Sequence, residues 1–439
     1  MFCLGIKKFL ENVCDEIKYK SVRNGISDEL ETHMCDIKEE YITMGMNESD
    51  AEEKAVLNMG DAREIGKKLN KIHRPKFEWK ILMMISIFIS IKIFLNLKQY
   101  IGRYSSWSLS KDLFFIAVSL LIGMIIYFGD YRKNKKSSNI IYIVATGILL
   151  FQWINWRFNI DIKVSEIINK MFGNENKASS ILNMNLWYIS IILYIISFAG
   201  NLTNLKKINL IIMYSFSAIL IYLQSTSVIN TLILILAYLF MYGFKMIKDN
   251  KKTYKDIIII SCLILFLSVI IMFAIESVIG PSVERLYNEM PEYQEEKYKL
   301  LNNIELFGGS QEIYFTNTNS QFLQLLATIG IIPSSILVFF IMLMSIILII
   351  DLIKVQEIYG KLLIIGLGTL YIVQSVLHIL MNLNMFPTSN VNLPFLSNGN
   401  LFLLANVIGF ATIMSVYRRK DIIFENVKNE EKGNALKRI

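Results

Sequence analysis

Long apolar runs alternate with short polar gaps from residue 79 onward, whereas residues 1–76 mix charged and apolar positions at helical spacing. A helix crosses the hydrocarbon core in roughly 20 residues, within a range of about 17–25. Segments of that kind fall near 79–97, 113–129, 139–154, 186–200, 208–223, 228–247, 257–279, 331–353, 360–380 and 399–417. The pattern predicts an all-α, polytopic membrane protein with about ten transmembrane helices and a small N-terminal soluble helical domain. Residues 320–330 are apolar but stand too close to the eighth span to cross alone, so they re-enter the membrane or extend that helix. The expected division is a helical prefix over 1–76, a transmembrane domain over 77–420 and a charged tail over 421–439. The many Ile, Leu and Phe side chains of the spans are read as facing lipid or packing between helices.

In the prefix, Leu30, Met34, Ile37, Tyr41 and Met44 recur every three or four residues and place one apolar stripe on a helix starting near Ser27. Ser27 is the expected N-cap, and Gly45 stands where a left-handed C-terminal residue belongs. A second helix fits 48–59 and stops at Gly60. A third starts at Asp61, with Glu64 placed to complete a capping box, and runs to about Ile72 before Pro75 breaks it. The charged positions read as solvated helix faces, and no catalytic constellation stands among them. The stretch "GISDELETHMCDIKEEYITMGMNESDAEEKAVLNMGDAREIGKKL" resembles the helical signalling or permease-prefix domain that precedes several bacterial membrane modules. The resemblance implies regulation or partner docking.

Charge changes the picture by fixing an orientation. Arg132, Lys133, Lys135 and Lys136 follow the second span, Lys206 and Lys207 the fourth, and Lys248, Lys251, Lys252 and Lys255 the sixth. Arg418, Arg419 and Lys420 follow the tenth. Basic residues stay on the cytoplasmic side, so both termini are expected there, with loops 155–184, 280–318 and 381–398 outside. The net charge of +8 is carried by these clusters, which suit anionic headgroups, and no nucleic-acid partner is expected. Composition agrees: 54% hydrophobic and 19% charged residues exceed and undercut the roughly 45–50% and 25% of soluble domains. Cys3, Cys14, Cys35 and Cys262 show no zinc-ligand spacing, and neither a metal site nor a disulfide framework is expected of them. The first 25 residues hold no continuous apolar core, so no cleavable signal peptide is expected.

The stretch "NMFPTSNVNLPFLSNGNLFLLANVIGFATIMSVYRR" (384–419) resembles the C-terminal signature of the FtsW/RodA/SpoVE (SEDS) family. That signature runs Pro-Thr, a short spacer, Leu-Pro-Phe-(Ile/Leu)-Ser-Tyr-Gly-Gly-Ser-Ser, an apolar helix and basic residues. Pro387, Thr388, Leu393, Pro394, Phe395, Ser397 and Gly399 keep its register, and Gln374 stands at the family's distance upstream. Glu284-Arg285-Leu286, Pro291, Tyr293-Gln294 and Leu306-Phe307-Gly308 follow the order of the family's large outer loop, and Gly330 matches the segment behind it. Trp153, Ser165 and Glu166 match more loosely, in what is expected to be the second outer loop. Members of this family polymerise lipid-linked disaccharide–pentapeptide on the outer face of the bacterial plasma membrane, beside a transpeptidase (a penicillin-binding protein), in division, cell shape or sporulation. The resemblance implies that undecaprenyl-linked substrate and that partner here. It also implies substrate contacts at Arg285, Thr318, Pro387, Thr388, Pro394, Ser397 and Gly399. No cofactor is implied, beyond a place for a divalent cation at the substrate pyrophosphate.

One departure bears on the chemistry. Polymerisation needs a base for a sugar hydroxyl, and the family's Asp, in Thr-Asp-Phe-Ile-Phe, falls at Asn319 with Thr318 before it. An amide does not accept a proton at ordinary pH. No Asp occurs between Asp256 and Asp351; Glu312 is the nearest substitute, then Glu305. Tyr-Gly-Gly-Ser-Ser also becomes Asn398-Gly399-Asn400-Leu401-Phe402. Three readings stay open: a peptidoglycan glycosyltransferase with a relocated base, a non-catalytic scaffold or regulator of wall synthesis, and a transporter of lipid-linked precursor. Transport ranks third, because transporters carry intramembrane charge and here Lys92 and His378 are the main ionisable residues within spans. Lys92 can snorkel, and His378 reads as a satisfied polar residue.

Overall fold

The computed structural model describes residues 4–73, 106–158, 186–204, 207–225, 227–248, 305–307, 321–352, 355–383, 391–396 and 400–420, with Met83, Ser86, Ser90 and Ile93 besides. Among the described residues every regular element is helical. The chain divides into two compact units, one of Met1–Glu78, Lys354–Glu357 and Val416–Ile439, the other of Trp79–Ile353 and Ile358–Ser415.

The first unit is built on α1 (Leu4–Glu16), α2 (Arg23–Thr43), α3 (Glu48–Met59) and α4 (Ala62–His73). Helix α1 buries Ile6, Phe9, Leu10 and Val13, a spacing of three and four residues that faces one core. Ile17, Val22, Ile26 and Met34 complete that core, and Leu30, Val56, Ile65 and Leu69 pack against it. Ser27 is not the N-cap of α2. A 3₁₀ turn at Lys20–Val22 leads straight into the helix at Arg23, whose Nε donates to the Ile17 carbonyl at 2.8 Å. The buried face of α2 follows Ile26 and Met34 to Lys38, so Met44 is left exposed. Gly45 and Gly60 take the left-handed φ of +92° and +86° that a helix C-terminus asks of glycine. The side chains of Asn47 and Asp61 cap α3 and α4, accepting from the amides of Asp50 and Arg63 at 2.8 Å each. The Cys14 thiol donates to the Arg23 carbonyl at 3.7 Å, and burial pushes its pKa up. In the same unit Arg419 Nε donates to the Tyr19 hydroxyl at 3.3 Å.

Lys38 sits where an apolar residue would continue the α2 stripe, and its ammonium reaches Glu48 Oε1 at 2.8 Å. The lysine is nearly buried while the glutamate stays in water. The hydrogen bond from Lys38, then its charge, holds the Glu48 carboxyl below its ordinary range. A depressed carboxyl stabilises the fold above its unfolded pKa, and that contribution disappears as pH falls through the folded value. Glu48→Gln is therefore expected to speed amide exchange in α2 and α3 of the full chain at neutral pH. The difference from wild type should vanish in acid, below the depressed pKa. Equal exchange at neutral pH would show that Lys38 does not need its partner.

The second unit contains α5 (Ser106–Phe128), the short α6 (Lys133–Lys136), α7 (Ser138–Phe158), α8 (Trp187–Asn204), α9 (Lys207–Ser225) and α10 (Val228–Lys248). It continues with α11 (Gln321–Ile329), α12 (Ile331–Leu352), α13 (Ile358–Asn382) and α14 (Asn400–Arg418). Eight of the ten apolar segments are thus helices, α5, α7, α8, α9, α10, α12, α13 and α14. The segment 79–97 is described at four positions, all helical, and 257–279 lies outside the described residues. Large apolar side chains such as Phe114, Leu121, Ile143, Phe151, Ile211 and Phe339 stay exposed, as a helix surrounded by lipid requires. The chain is a polytopic, all-α integral membrane protein.

Close helix contacts use small residues. Ser190 and Ser197 of α8 donate to the carbonyls of Ala145 and Ser138 at 3.1 and 2.8 Å, and a Cβ at Gly200 would collide with the Ser138 hydroxyl. Helix α13 packs on α8, α10 and α12. A Cβ at Gly366 would lie 2.6 Å from Met241 Sδ and 2.7 Å from Ile195. Helix α14 is largely buried. A Cβ at its Gly409 would collide with the Tyr371 hydroxyl, and its Ser415 donates to the Gly129 carbonyl at 2.8 Å.

Candidate functional site

The segment that ends α13, the described loop 391–396 and the start of α14 form the candidate site. Helix α13 runs 25 residues and closes with Asn382, whose amide donates to the His378 carbonyl at 2.7 Å. In the loop Val391, Leu393, Phe395 and Leu396 are all buried. Leu396 N donates to the Pro394 carbonyl at 2.8 Å while Phe395 holds φ of +63°. A bond from residue i+2 back to i around a positive φ is the strained form of γ-turn. What holds it is packing: the Phe395 ring centroid lies 4.6 Å from that of Phe410 and 6.3 Å from that of Tyr371. Strained non-glycine backbone of this kind persists only where its surroundings over-determine it, and it clusters at functional positions.

Beneath the loop lies a buried polar group. Tyr188 of α8 donates to Gln374 Oε1 in a short bond, and its ring rests 4.3 Å from that of Phe402. Tyr371 donates to the Asn406 carbonyl at 3.1 Å, and Asn406 Nδ2 donates to the Phe402 carbonyl at 2.9 Å. His378 Nδ1 lies 2.7 Å from the Val391 carbonyl. A carbonyl only accepts, so Nδ1 bears the proton, and this bond fastens the loop to α13. Gln374, carried by the family-like register, and His378 stand four residues apart on one face of α13. His378 is thus satisfied at one ring nitrogen only, because Nε2 has no hydrogen-bond partner among the described residues.

Helix α11 reaches the same end of α13. Phe322, Leu323, Leu326 and Ala327 form a cluster against Val338 of α12 and Ile379 of α13. The 320–330 region thus forms a short helix beside the eighth span, and Gly330, at φ +87°, joins it to α12. Glu305 and Leu306 accept from the first amides of α12, Ile331 and Ile332, at 3.0 and 3.1 Å. That backbone pairing places Glu305, an exposed side chain, at the α12 N-terminus.

Of the residues expected at the site, Gln374, Leu393, Pro394, Phe395 and Gly330 are described and gather at this end of the unit. Asn319, Glu312, Arg285, Thr318, Pro387, Thr388, Ser397 and Gly399 lie outside the described residues, as do Lys92, Ser165 and Glu166. Trp153 belongs to no loop; it sits inside α7 and is half exposed on that helix. Sequence reading missed Tyr188 and Asn406, although an Asn in an apolar run is a visible signal. It also missed a network between α7, α8, α9 and α10. There Thr146 pairs with Tyr194 at 3.0 Å, Ser197 and Asn201 meet the Tyr214 hydroxyl at 2.8 and 3.0 Å, and Ser217 pairs with Tyr238 at 3.1 Å. Among the described residues no group of three His, Cys, Asp or Glu side chains stands close enough to hold a metal ion.

No protein-family model matches the sequence, and no curated protein does. Solved structures match in fold. One, described as the structural coordination of polymerization and crosslinking by a peptidoglycan synthase complex, superposes with a TM-score of 0.55. The identity is 14%, over 78% of this chain and 98% of that one. A mutant of the rod shape determining protein RodA of Thermus thermophilus superposes with a TM-score of 0.50 and 12% identity, over 78% of this chain and 98% of that chain. At these identities the likeness is one of fold.

Proposed function

We propose that this chain, which has the RodA-type (SEDS) fold, is a peptidoglycan-synthesis protein of the bacterial plasma membrane. The reading is supported chiefly by the superposition on nearly the whole of a chain from a peptidoglycan synthase complex. The ungapped register of Pro387, Thr388, Leu393, Pro394, Phe395, Ser397 and Gly399 agrees with it. On this reading the substrate is an undecaprenyl-linked disaccharide–pentapeptide held at the outer face by Arg285, Thr318 and the loop ahead of α14. The partner is a transpeptidase, both termini are cytoplasmic, residues 1–76 form a regulatory prefix and 421–439 a charged tail. Division, elongation and sporulation are the processes open to it. A divalent cation has its place at the pyrophosphate.

Asn319 favours a second reading, a scaffold or regulator that keeps the groove without the chemistry. Purified full-length chain and lipid-linked precursor separate the two. Glycan made by the native chain and lost in Glu312→Gln assigns the base to Glu312. No glycan, with an active relative as control, favours the scaffold, and capture of a transpeptidase partner by the native chain is then expected. Neither glycan nor a wall-synthesis partner would overturn both and favour transport.

A further inference from the structure

Three buried side-chain atoms on the helices under the strained loop have no hydrogen-bond partner among the described residues, Gln374 Nε2, His378 Nε2 and Asn406 Oδ1, and Asn392 Oδ1 in the loop itself is likewise unpaired. The three on the helices belong to residues at most 1% exposed. A buried polar atom left unpaired is costly, so three at one helix junction call for an occupant. Their roles are fixed by the partners they already have. His378 donates through Nδ1 to Val391, so Nε2 is a bare acceptor. Asn406 spends Nδ2 on the Phe402 carbonyl, so its Oδ1 is an acceptor. Gln374 takes the Tyr188 hydroxyl on Oε1, so its Nε2 is a donor. The three are linked: Gln374 and His378 share a face of α13, and Tyr188 joins Gln374 to Phe402, one helical turn from Asn406.

Two acceptors and one donor, with no charged side chain among them, define the ligand by its chemistry. A cation would lack a carboxylate and an anion would face two lone pairs. A water molecule donates twice and accepts, which satisfies all three atoms with the three bonds usual for buried water, whereas a single hydroxyl donates once and satisfies the donor and only one of the two acceptors. We propose that Gln374, His378 and Asn406 form a water-binding site at the junction of α8, α13 and α14, where a carbohydrate hydroxyl that displaces the water pairs with the donor and one of the two acceptors. The site lies directly behind the Val391 anchor, so its occupant sets how firmly the loop is held. The water site rests on the chain's own hydrogen bonds, and only the carbohydrate occupant rests on the wall-synthesis reading.

The full chain holds three histidines, His33, His73 and His378, which makes the imidazole a clean probe. Full-length protein carrying ¹⁵N-histidine would be placed in lipid bilayers and studied by solid-state NMR, with His378→Asn identifying the resonance. The expected spectrum has a protonated Nδ1 and an unprotonated Nε2 shifted toward the hydrogen-bonded position. Nε2 should receive magnetisation from water, and Asn406→Leu or Gln374→Leu should weaken that transfer while leaving the Nδ1 proton in place. Adding ¹³C-labelled lipid-linked disaccharide–pentapeptide distinguishes the sources. Carbon contact at Nε2 with loss of the water signal identifies a carbohydrate hydroxyl, and an unchanged water signal identifies resident water. An unbonded Nε2 with neither contact, or a proton on Nε2, would overturn the site. Loss of both nitrogen signals' ordering in the leucine variants would show misfolding, and the wild-type spectrum then decides by the same criteria.

Discussion

Asn319→Asp is expected to raise glycan polymerisation by about 10²–10⁴-fold over the native chain, the usual contribution of a positioned general base. The acceptor sugar hydroxyl must lose its proton as it attacks the anomeric carbon, and a neutral amide cannot take it. Aspartate and asparagine are nearly the same size, so the substitution changes the proton chemistry and little else. Two residues later α11 begins, and its apolar face packs against Val338 and Ile379. The check is a time course with lipid-linked precursor, run beside the native chain and an active relative. A gain in the variant would mean a working substrate groove that lacks its base. An active native chain unimproved by the aspartate would mean a base elsewhere, and Glu312→Gln then identifies it. An inactive variant would mean that the groove itself has gone, as the change from Tyr-Gly-Gly-Ser-Ser to Asn398-Gly399-Asn400-Leu401-Phe402 allows.

How far these features were legible in the sequence depends on their range. Segment length and hydropathy are local quantities, so eight of the expected segments could be placed as helices, with ends within four residues except at α5, which starts at Ser106 rather than 113. Helix stops at Gly45 and Gly60 were legible because a positive φ has few other tenants. Starts were less so: Ser27 looked like a cap, but the chain enters α2 through a 3₁₀ turn pinned by Arg23, and nothing local distinguishes those cases. Helix α1 was missed even though Ile6, Phe9, Leu10 and Val13 have the right spacing, because its charged residues dilute the stripe. The site divides in the same way. Its loop could be recognised as a motif, residue by residue. Its support could not, since Tyr188 and Gln374 are 186 residues apart and periodicity names a face without naming its partner. The positive φ at Phe395 was equally hidden, because phenylalanine there contradicts local preference and its packing against Tyr371 and Phe410 is a long-range feature.

That contradiction supplies the second large effect. Phe395→Ala removes a ring that is almost wholly buried between Tyr371 and Phe410, and such truncations cost about 3–5 kcal/mol. Ordinarily glycine at the same position would cost more than alanine, by roughly 0.5–1 kcal/mol of chain entropy. Here the order should invert. An alanine still carries the Cβ that makes left-handed φ cost about 1–2 kcal/mol, while glycine carries none. Phe395→Gly is therefore expected to unfold at a higher temperature than Phe395→Ala, with both well below the native chain in the same bilayer or detergent. The measurement is a thermal unfolding series on the full-length proteins, with Leu396→Ala as a neighbour of ordinary φ. If glycine proves the weaker of the pair at 395, the γ-turn carries no strain that a Cβ adds to.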